Sequence, residues 1–196
     1  ALTKLIEWYG TLIAVMEHGI LLIPVNERAT MANASGENVY INTETVLPKN
    51  PKVISNTFGS IWPNSIIRTP YCIYGIDTVA KKIWRIKNGL NAQFEIISDF
   101  KIQKYLNDNI KLLELDKSEK IGDLFVNSHY NAFKQDVIFT YKKGDDYWSF
   151  CWNEIVNKWI TRYTWIPEFS ENINNLFYTF AKEDSTVTTD KYYKLW

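Results

Sequence analysis

The sequence predicts a mainly β fold of antiparallel meanders that form part of a β-propeller, with one short helical insertion. Three observations carry this reading. Residues 136–172 hold three apolar, β-branched and aromatic runs, Val137–Tyr141, Tyr147–Trp152 and Trp159–Trp165, separated by the polar turns Lys142–Asp146 and Asn153–Lys158. Runs of that length bounded by Gly, Asp and Asn read as neighbouring antiparallel strands. In the third run, Trp159, Thr161, Tyr163 and Trp165 alternate with Ile160, Arg162, Thr164 and Ile166. Neither set is cleanly polar, which predicts a sheet covered on both faces, as in stacked sheets or propeller blades. Similar units recur near residues 5–25, 71–97 and 176–196. All-antiparallel β in sheet-sized units suits a propeller better than a sandwich, which is the alternative.

From the N-terminus, Leu5–Tyr9 reads as a strand, followed by a hairpin over Leu12–Val25 that turns at His18-Gly19, with Gly19 expected to supply a positive φ. Residues 26–52 are rich in Asn, Ser, Thr and Gly, carry Pro48 and Pro51, and read as a long surface insertion with one short strand at Val39–Ile41. Tyr71–Ile76, Ile83–Ile86 and Phe94–Ile97 repeat the meander, with turns at Asp77–Lys82 and Lys87–Gly89. The second insertion, 99–126, holds the helix: Ser98 or Asp99 can cap a segment over Asp99–Asn109, and Ile102, Leu106, Ile110 and Leu113 recur at helical spacing. Lysines and acids balance along it, giving a solvated mixed face and no nucleic-acid stripe. Leu176–Phe180 and Thr188–Trp196 read as a last hairpin around the polar loop Ala181–Thr189. The chain opens at Ala1 without Met and stops at Trp196 on a strand-like pattern, so residues 1–196 are expected to be a fragment of a larger propeller-containing protein.

Composition excludes several function classes. Lys plus Arg equals Asp plus Glu at 22 each, so no global basic field gathers nucleic acid or an anionic membrane. No apolar run approaches the roughly 20 residues of a membrane helix, and no signal-peptide pattern is present. Cys72 and Cys151 sit inside apolar runs and read as buried thiols. The aromatic content of 15% predicts large rings filling the space between sheets, and half of those rings fall within 127–180. Their alternation with aliphatic residues favours a core over a stacking platform for sugars or single strands.

Chemistry-bearing motifs are sparse. Ser128 and His129 are adjacent, but adjacency does not build a catalytic dyad, and no Gly-x-Ser-x-Gly elbow exists. Two histidines, His18 and His129, and two isolated cysteines match no zinc spacing. Neither phosphate-cradling glycine loop is present. Asp77 reads as a carboxylate that binds turn amides. Asp99, Asp136, Glu168 and Glu171 could be paired for glycosidase chemistry only by assumption. Asn33-Ala34-Ser35 matches a glycosylation acceptor without a secretory context. No catalytic, cofactor-binding or metal residue is therefore assigned, and no cofactor is expected.

Lys52–Arg85 (KVISNTFGSIWPNSIIRTPYCIYGIDTVAKKIWR), Phe94–Ile110 (FEIISDFKIQKYLNDNI) and the stretch from His129 to Phe180, with NKWITRYTWIPEFSENI at its heart, resemble the tail muzzle protein of crAss-like bacteriophages. Leu5–Ala29 fits the same family, so the resemblance covers most of the chain. That family is similar to the nozzle, or packaged-DNA stabilisation, proteins of short-tailed phages. The resemblance implies a structural, non-enzymatic virion protein at the distal end of the tail, assembled in the host bacterial cytoplasm. It would retain the packaged genome and conduct DNA and protein during ejection. It also implies other segments of the same protein as partners, a homo-oligomeric ring of six-fold type, tail hub and tail fibre neighbours, and DNA only in transit. The rival readings are a module that binds host glycan and, with least support, a propeller-type glycosidase.

Overall fold

The computed structural model describes residues 1–24, 30–32, 38–40, 51–87, 92–111, 124–181 and 191–195. The protein is mainly β and its strand pairs are antiparallel. β1 (Leu2–Trp8), β2 (Thr11–Met16) and β3 (Gly19–Pro24) form a meander, followed by a two-stranded ribbon of β4 (Thr30–Ala32) and β5 (Asn38–Tyr40). β6 (Lys52–Ser55) then returns beside β3, closing a first sheet of order β1-β2-β3-β6. A single 3-10 turn, Pro63–Ser65, leads into β7 (Ile67–Arg68), β8 (Cys72–Asp77), β9 (Lys82–Lys87) and β10 (Gln93–Ile96), a second sheet of order β10-β9-β8-β7. After α1 (Gln103–Asn109), a third sheet runs β11 (Leu124–Asn131), β12 (Asp136–Lys143), β13 (Asp146–Asn153) and β14 (Lys158–Tyr163). β15 (Phe169–Ile173), β16 (Leu176–Ala181) and β17 (Lys191–Leu195) make the fourth.

Successive sheets stack face to face, because strands of the second and third sheets are apolar on both sides of the pleat. In β8 and β9, Ile73, Trp84 and Ile86 meet Ile6, Trp8, Ile13, Val15, Ile20 and Leu22 of the first sheet. From the same strands Tyr74, Ile76 and Ile83 meet Val137, Phe139, Tyr141, Trp148, Phe150 and Trp152 of the third. The opposite face of the third sheet offers Ile138 and Cys151 to Phe177 of the fourth. The eight-residue strands β12 and β13 pair without interruption from Asp136↔Asn153 to Lys143↔Asp146, which keeps Trp148, Phe150 and Trp152 of β13 on one face.

Several expectations change. Gly19 lies inside β3, and left-handed backbone in this part of the chain falls instead on Tyr9 and Gly10, at φ 51° and 71°. Lys52 belongs to β6 and not to the first insertion, and Val126 to β11 and not to the second. Residues 26–29, 33–37 (with Asn33-Ala34-Ser35) and 41–50 of the first insertion, Leu113, the Lys87–Gly89 turn beyond Lys87, and 182–190 lie outside the described residues. The helix starts later than expected, with Ile102 at its cap position and no side-chain cap. Ser98 and Asp99 are occupied elsewhere: the Ile83 amide donates to Ser98 Oγ at 3.2 Å, and Lys82 pairs with Asp99. Ile102, Leu106 and Ile110 pack into the core between the second and third sheets, so residues 99–111 are not a free insertion.

The two-faced alternation expected of Trp159–Trp165 also fails, for a local reason. Register slips between Cys151↔Thr161 and Trp152↔Trp159, a bulge that adds Ile160. Trp159 therefore joins Trp152 and Phe150 on one face, while Thr161 sits opposite Cys151 on the other. β14 is an edge strand, largely exposed, so two-sided cover applies to β12 and β13 and not to it.

Candidate functional site in the seams between stacked sheets

Three seams separate the four sheets, and each combines apolar contact with a few polar pins. In the first seam Trp84 is fully buried and its indole Nε1 donates to Gly59 O at 2.8 Å. Gly75, cross-strand from Trp84, leaves room for that ring: a Cβ there would lie 2.3 Å from Trp84 Cζ2. Gly59 is equally constrained, since a Cβ would meet the Met16 carbonyl oxygen at 2.0 Å. The Gly59 and Ala80 amides both donate to the Asp77 carboxylate, at 3.0 and 2.8 Å. Asp77 is thus the turn-binding carboxylate the sequence predicted, and burial, outweighing those amides, raises its pKa.

The second seam holds a carboxylate that sequence reasoning missed. Glu154, in the Asn153–Lys158 turn, receives hydrogen bonds on Oε1 from Thr69 Oγ1 at 2.7 Å and Tyr74 OH at 2.9 Å. These bonds tie the β13–β14 turn to the second sheet. Burial, reinforced by the neighbouring Cys72 and Glu154, pushes the Tyr74 phenol far above its usual range. Burial likewise raises Cys72, and Cys151 behind it in the third seam. Arg85, almost wholly buried, lies 5.1 Å over the Trp152 ring and pairs with Glu95 at 2.8 Å. Trp159 Nε1 donates to Ile97 O at 3.0 Å. Nothing in a polar NEIVNK turn signals a half-buried acid, because only the packing of the two sheets brings Thr69 and Tyr74 to it.

The third seam is smaller and more polar. His129 Nε2 lies 3.0 Å from Pro167 O and Nδ1 2.8 Å from Ser170 Oγ. A carbonyl can only accept, so Nε2 carries the proton and Nδ1 accepts from the Ser170 hydroxyl. Burial lowers the His129 pKa from 6.5 to about 4, against a smaller raising effect from Pro167. Ser128 points to the other face and donates to Ser65 O at 2.6 Å. The sequence neighbours Ser128 and His129 therefore do not meet; the fold pairs His129 with Ser170 instead. A neutral imidazole held against a carbonyl, with so low a pKa, is a poor general base at neutral pH. Asn127 Nδ2 to Glu168 O and Asn172 Nδ2 to Tyr130 O, both 2.8 Å, complete the seam.

The remaining candidate residues are dispersed. His18 is exposed in the β2–β3 turn. Asp99 pairs with Lys82, Asp136 accepts from Asn153 Nδ2 at 2.7 Å, and Glu171 accepts from the Asn172 amide at 3.3 Å. Glu168 borders a cavity of about 290 Å³ with Lys4, Ser128, His129 and Ser170. A larger one, about 510 Å³, opens between α1, the β12–β13 turn and the end of β14. Among the described residues, no helix is long and apolar enough to cross a membrane.

A family model described as the crassvirus muzzle protein matches residues 1–183, nearly the whole chain, with the first three sheets entire and the fourth in part. The chain belongs to the crassvirus muzzle protein family. A search of curated proteins finds no match. The muzzle family is a structural component of the phage tail, which assembles with other tail proteins, and the seams fit that role. In this muzzle-family chain Ser128, His129, Asn127 and Trp159 use their polar groups to hold one sheet against the next.

Proposed function

We propose that this chain contributes a stack of blades to a β-propeller in the distal tail muzzle, where it forms a passive, rigid wall around the exit channel. The observation carrying the proposal is that the second and third sheets are apolar on both faces and seat large rings in both directions. A fully buried Trp, Tyr or Phe adds roughly 2–3 kcal/mol by area removed from water. Trp8, Trp84, Trp148 and Trp152 are all fully buried and hold adjacent sheets together in this way. The wall is one fragment of a larger protein whose other segments complete the propeller. Copies form a closed ring, six-fold by this reading, joined to tail hub and fibre proteins after assembly in the host cytoplasm.

The wall works mechanically, and no catalysis is assigned to it. Equal numbers of basic and acidic residues give a conduit that does not hold DNA by counterion release, so the genome is retained by constriction and passes freely once contacts open. The test is imaging of intact particles with the chain traced in place. Density for these sheets lining the distal channel is the expected result; finding the chain elsewhere in the particle, or a distal tail built without it, would overturn the proposal.

A further inference from the structure

The cavity of about 510 Å³ lies on the outer rim of the second seam and is bordered by Tyr105, Asn109, Asp145, Tyr147, Arg162 and Thr164, among others. We infer that it is a binding site for a neutral saccharide, a role beyond the structural one proposed above. Arg162 is the anchor. Its guanidinium is stacked 4.9 Å over Tyr105 and 6.0 Å from Phe150, and those rings are fixed edge to face, 5.1 Å apart at 78°. Among the described residues, no carboxylate lies within ion-pairing distance of Arg162. Its N–H donors are therefore pre-oriented and available at the cavity wall.

The rest of the lining fits hydroxyl groups, which donate and accept at once. Asp145 supplies an acceptor with no ion pair among the described residues, and Thr164 and Tyr147 supply hydroxyls. Asn109 commits its Nδ2 to Tyr105 O at 2.8 Å, which leaves its Oδ1 as an acceptor. Tyr147 is 47% exposed and offers a ring face of the kind on which the C–H side of a pyranose packs. Charge decides the ligand class. The lining holds one cation, Arg162, and two carboxylates, Asp145 and Asp146; Lys111, just outside the lining, pairs with Asp146, so the site with its rim carries no net charge. A polyanion such as single-stranded nucleic acid would meet two carboxylates, whereas a neutral sugar satisfies both signs. The bulge at Ile160 is what makes the site, because it turns Arg162 onto the face of Phe150.

Saturation-transfer NMR on the purified protein tests this with glucose, galactose, mannose, N-acetylglucosamine and their short oligomers, and with oligothymidylate as the competing class. Transfer to at least one saccharide is expected. Arg162→Ala removes a charged donor and should weaken binding roughly tenfold or more. Asp145→Asn and Tyr147→Ala should each weaken it, while Phe133→Ala, at an exposed ring on the β11–β12 turn, should leave it unchanged. Urea melts matching the parent protein show that each variant is folded. No transfer to any saccharide, transfer to oligothymidylate instead, or binding indifferent to both Arg162→Ala and Tyr147→Ala would overturn the assignment. None of these outcomes bears on the tracing of the wall in particles, so the two proposals fail separately.

Discussion

Acidification should loosen the third seam through one residue, His129. Its imidazole is held neutral between Pro167 O and Ser170, with burial lowering its pKa from 6.5 to about 4. Because the folded value lies below the unfolded one, the unfolded chain takes up the proton first. Stability is complete above about pH 6.5, falls as pH drops toward 4, and levels off below that. Integrating between pH 7.5 and 4.5 gives a loss of about 2–3 kcal/mol from this residue alone, a large share of the stability of an ordinary domain. Carboxylates such as Asp77 titrate nearby, so the measurement must be a difference. Urea unfolding of the parent protein and of His129→Gln, whose amide can still donate to Pro167 O, is compared at the two pH values. The variant should be less stable at pH 7.5 yet lose about 2–3 kcal/mol less on acidification. Identical pH dependence in the two proteins would refute the argument, since it would mean that His129 is no harder to protonate in the folded state.

Gly75→Ala should destabilise by about 3 kcal/mol, the upper part of the usual overpacking range, because the new methyl would displace the Trp84 indole from Gly59 O. A urea midpoint unchanged from the parent would show that the ring has room to shift. Glu154→Ala should cost about 2 kcal/mol by leaving the Tyr74 hydroxyl without its acceptor and Thr69 Oγ1 with only its longer bond to Cys72 O; a double-mutant cycle with Tyr74→Phe should then show coupling, and additivity would argue against the pin. Cys72 and Cys151 are buried and their thiols are pushed up, so Ellman's reagent should label neither in the native protein and both after unfolding. Fast labelling of Cys151 under native conditions would contradict the third seam.

Strand existence was legible where both faces of a strand are apolar or where polar turns punctuate it, as in β8, β9, β12 and β13. β11 was not, because its interior, Asn127, Ser128 and His129, is polar. Those side chains are buried by bonds to Glu168 O, Ser65 O and Pro167 O, acceptors contributed by chain more than 35 residues away, and no local pattern announces them. β6 was hidden for a related reason: KVIS reads as the tail of a polar insertion until β3 presents an edge for it. The faces of Trp159 and Arg162 were misread because a one-residue bulge inverts a period-two pattern without any mark in the sequence. The Arg162 cavity depends on that inversion, and it was illegible for the same reason.

The three seams are not equivalent, and their gradation bears on how such a wall behaves under load. The first two bury whole faces of Trp, Tyr, Phe and Ile, whose attraction varies smoothly with small displacements and depends little on pH or salt. The third has Ile138, Cys151 and Phe177 at its centre and relies on directional bonds from Asn127, His129 and Asn172. Directional bonds lost to water are largely replaced by water, so separating that seam costs less and can be reversed locally. A stack joined strongly at two seams and more weakly at the third yields at a defined place, keeping the first three sheets together while the fourth moves. For the wall proposed above, the fourth sheet is therefore the element whose movement would leave the first three sheets joined.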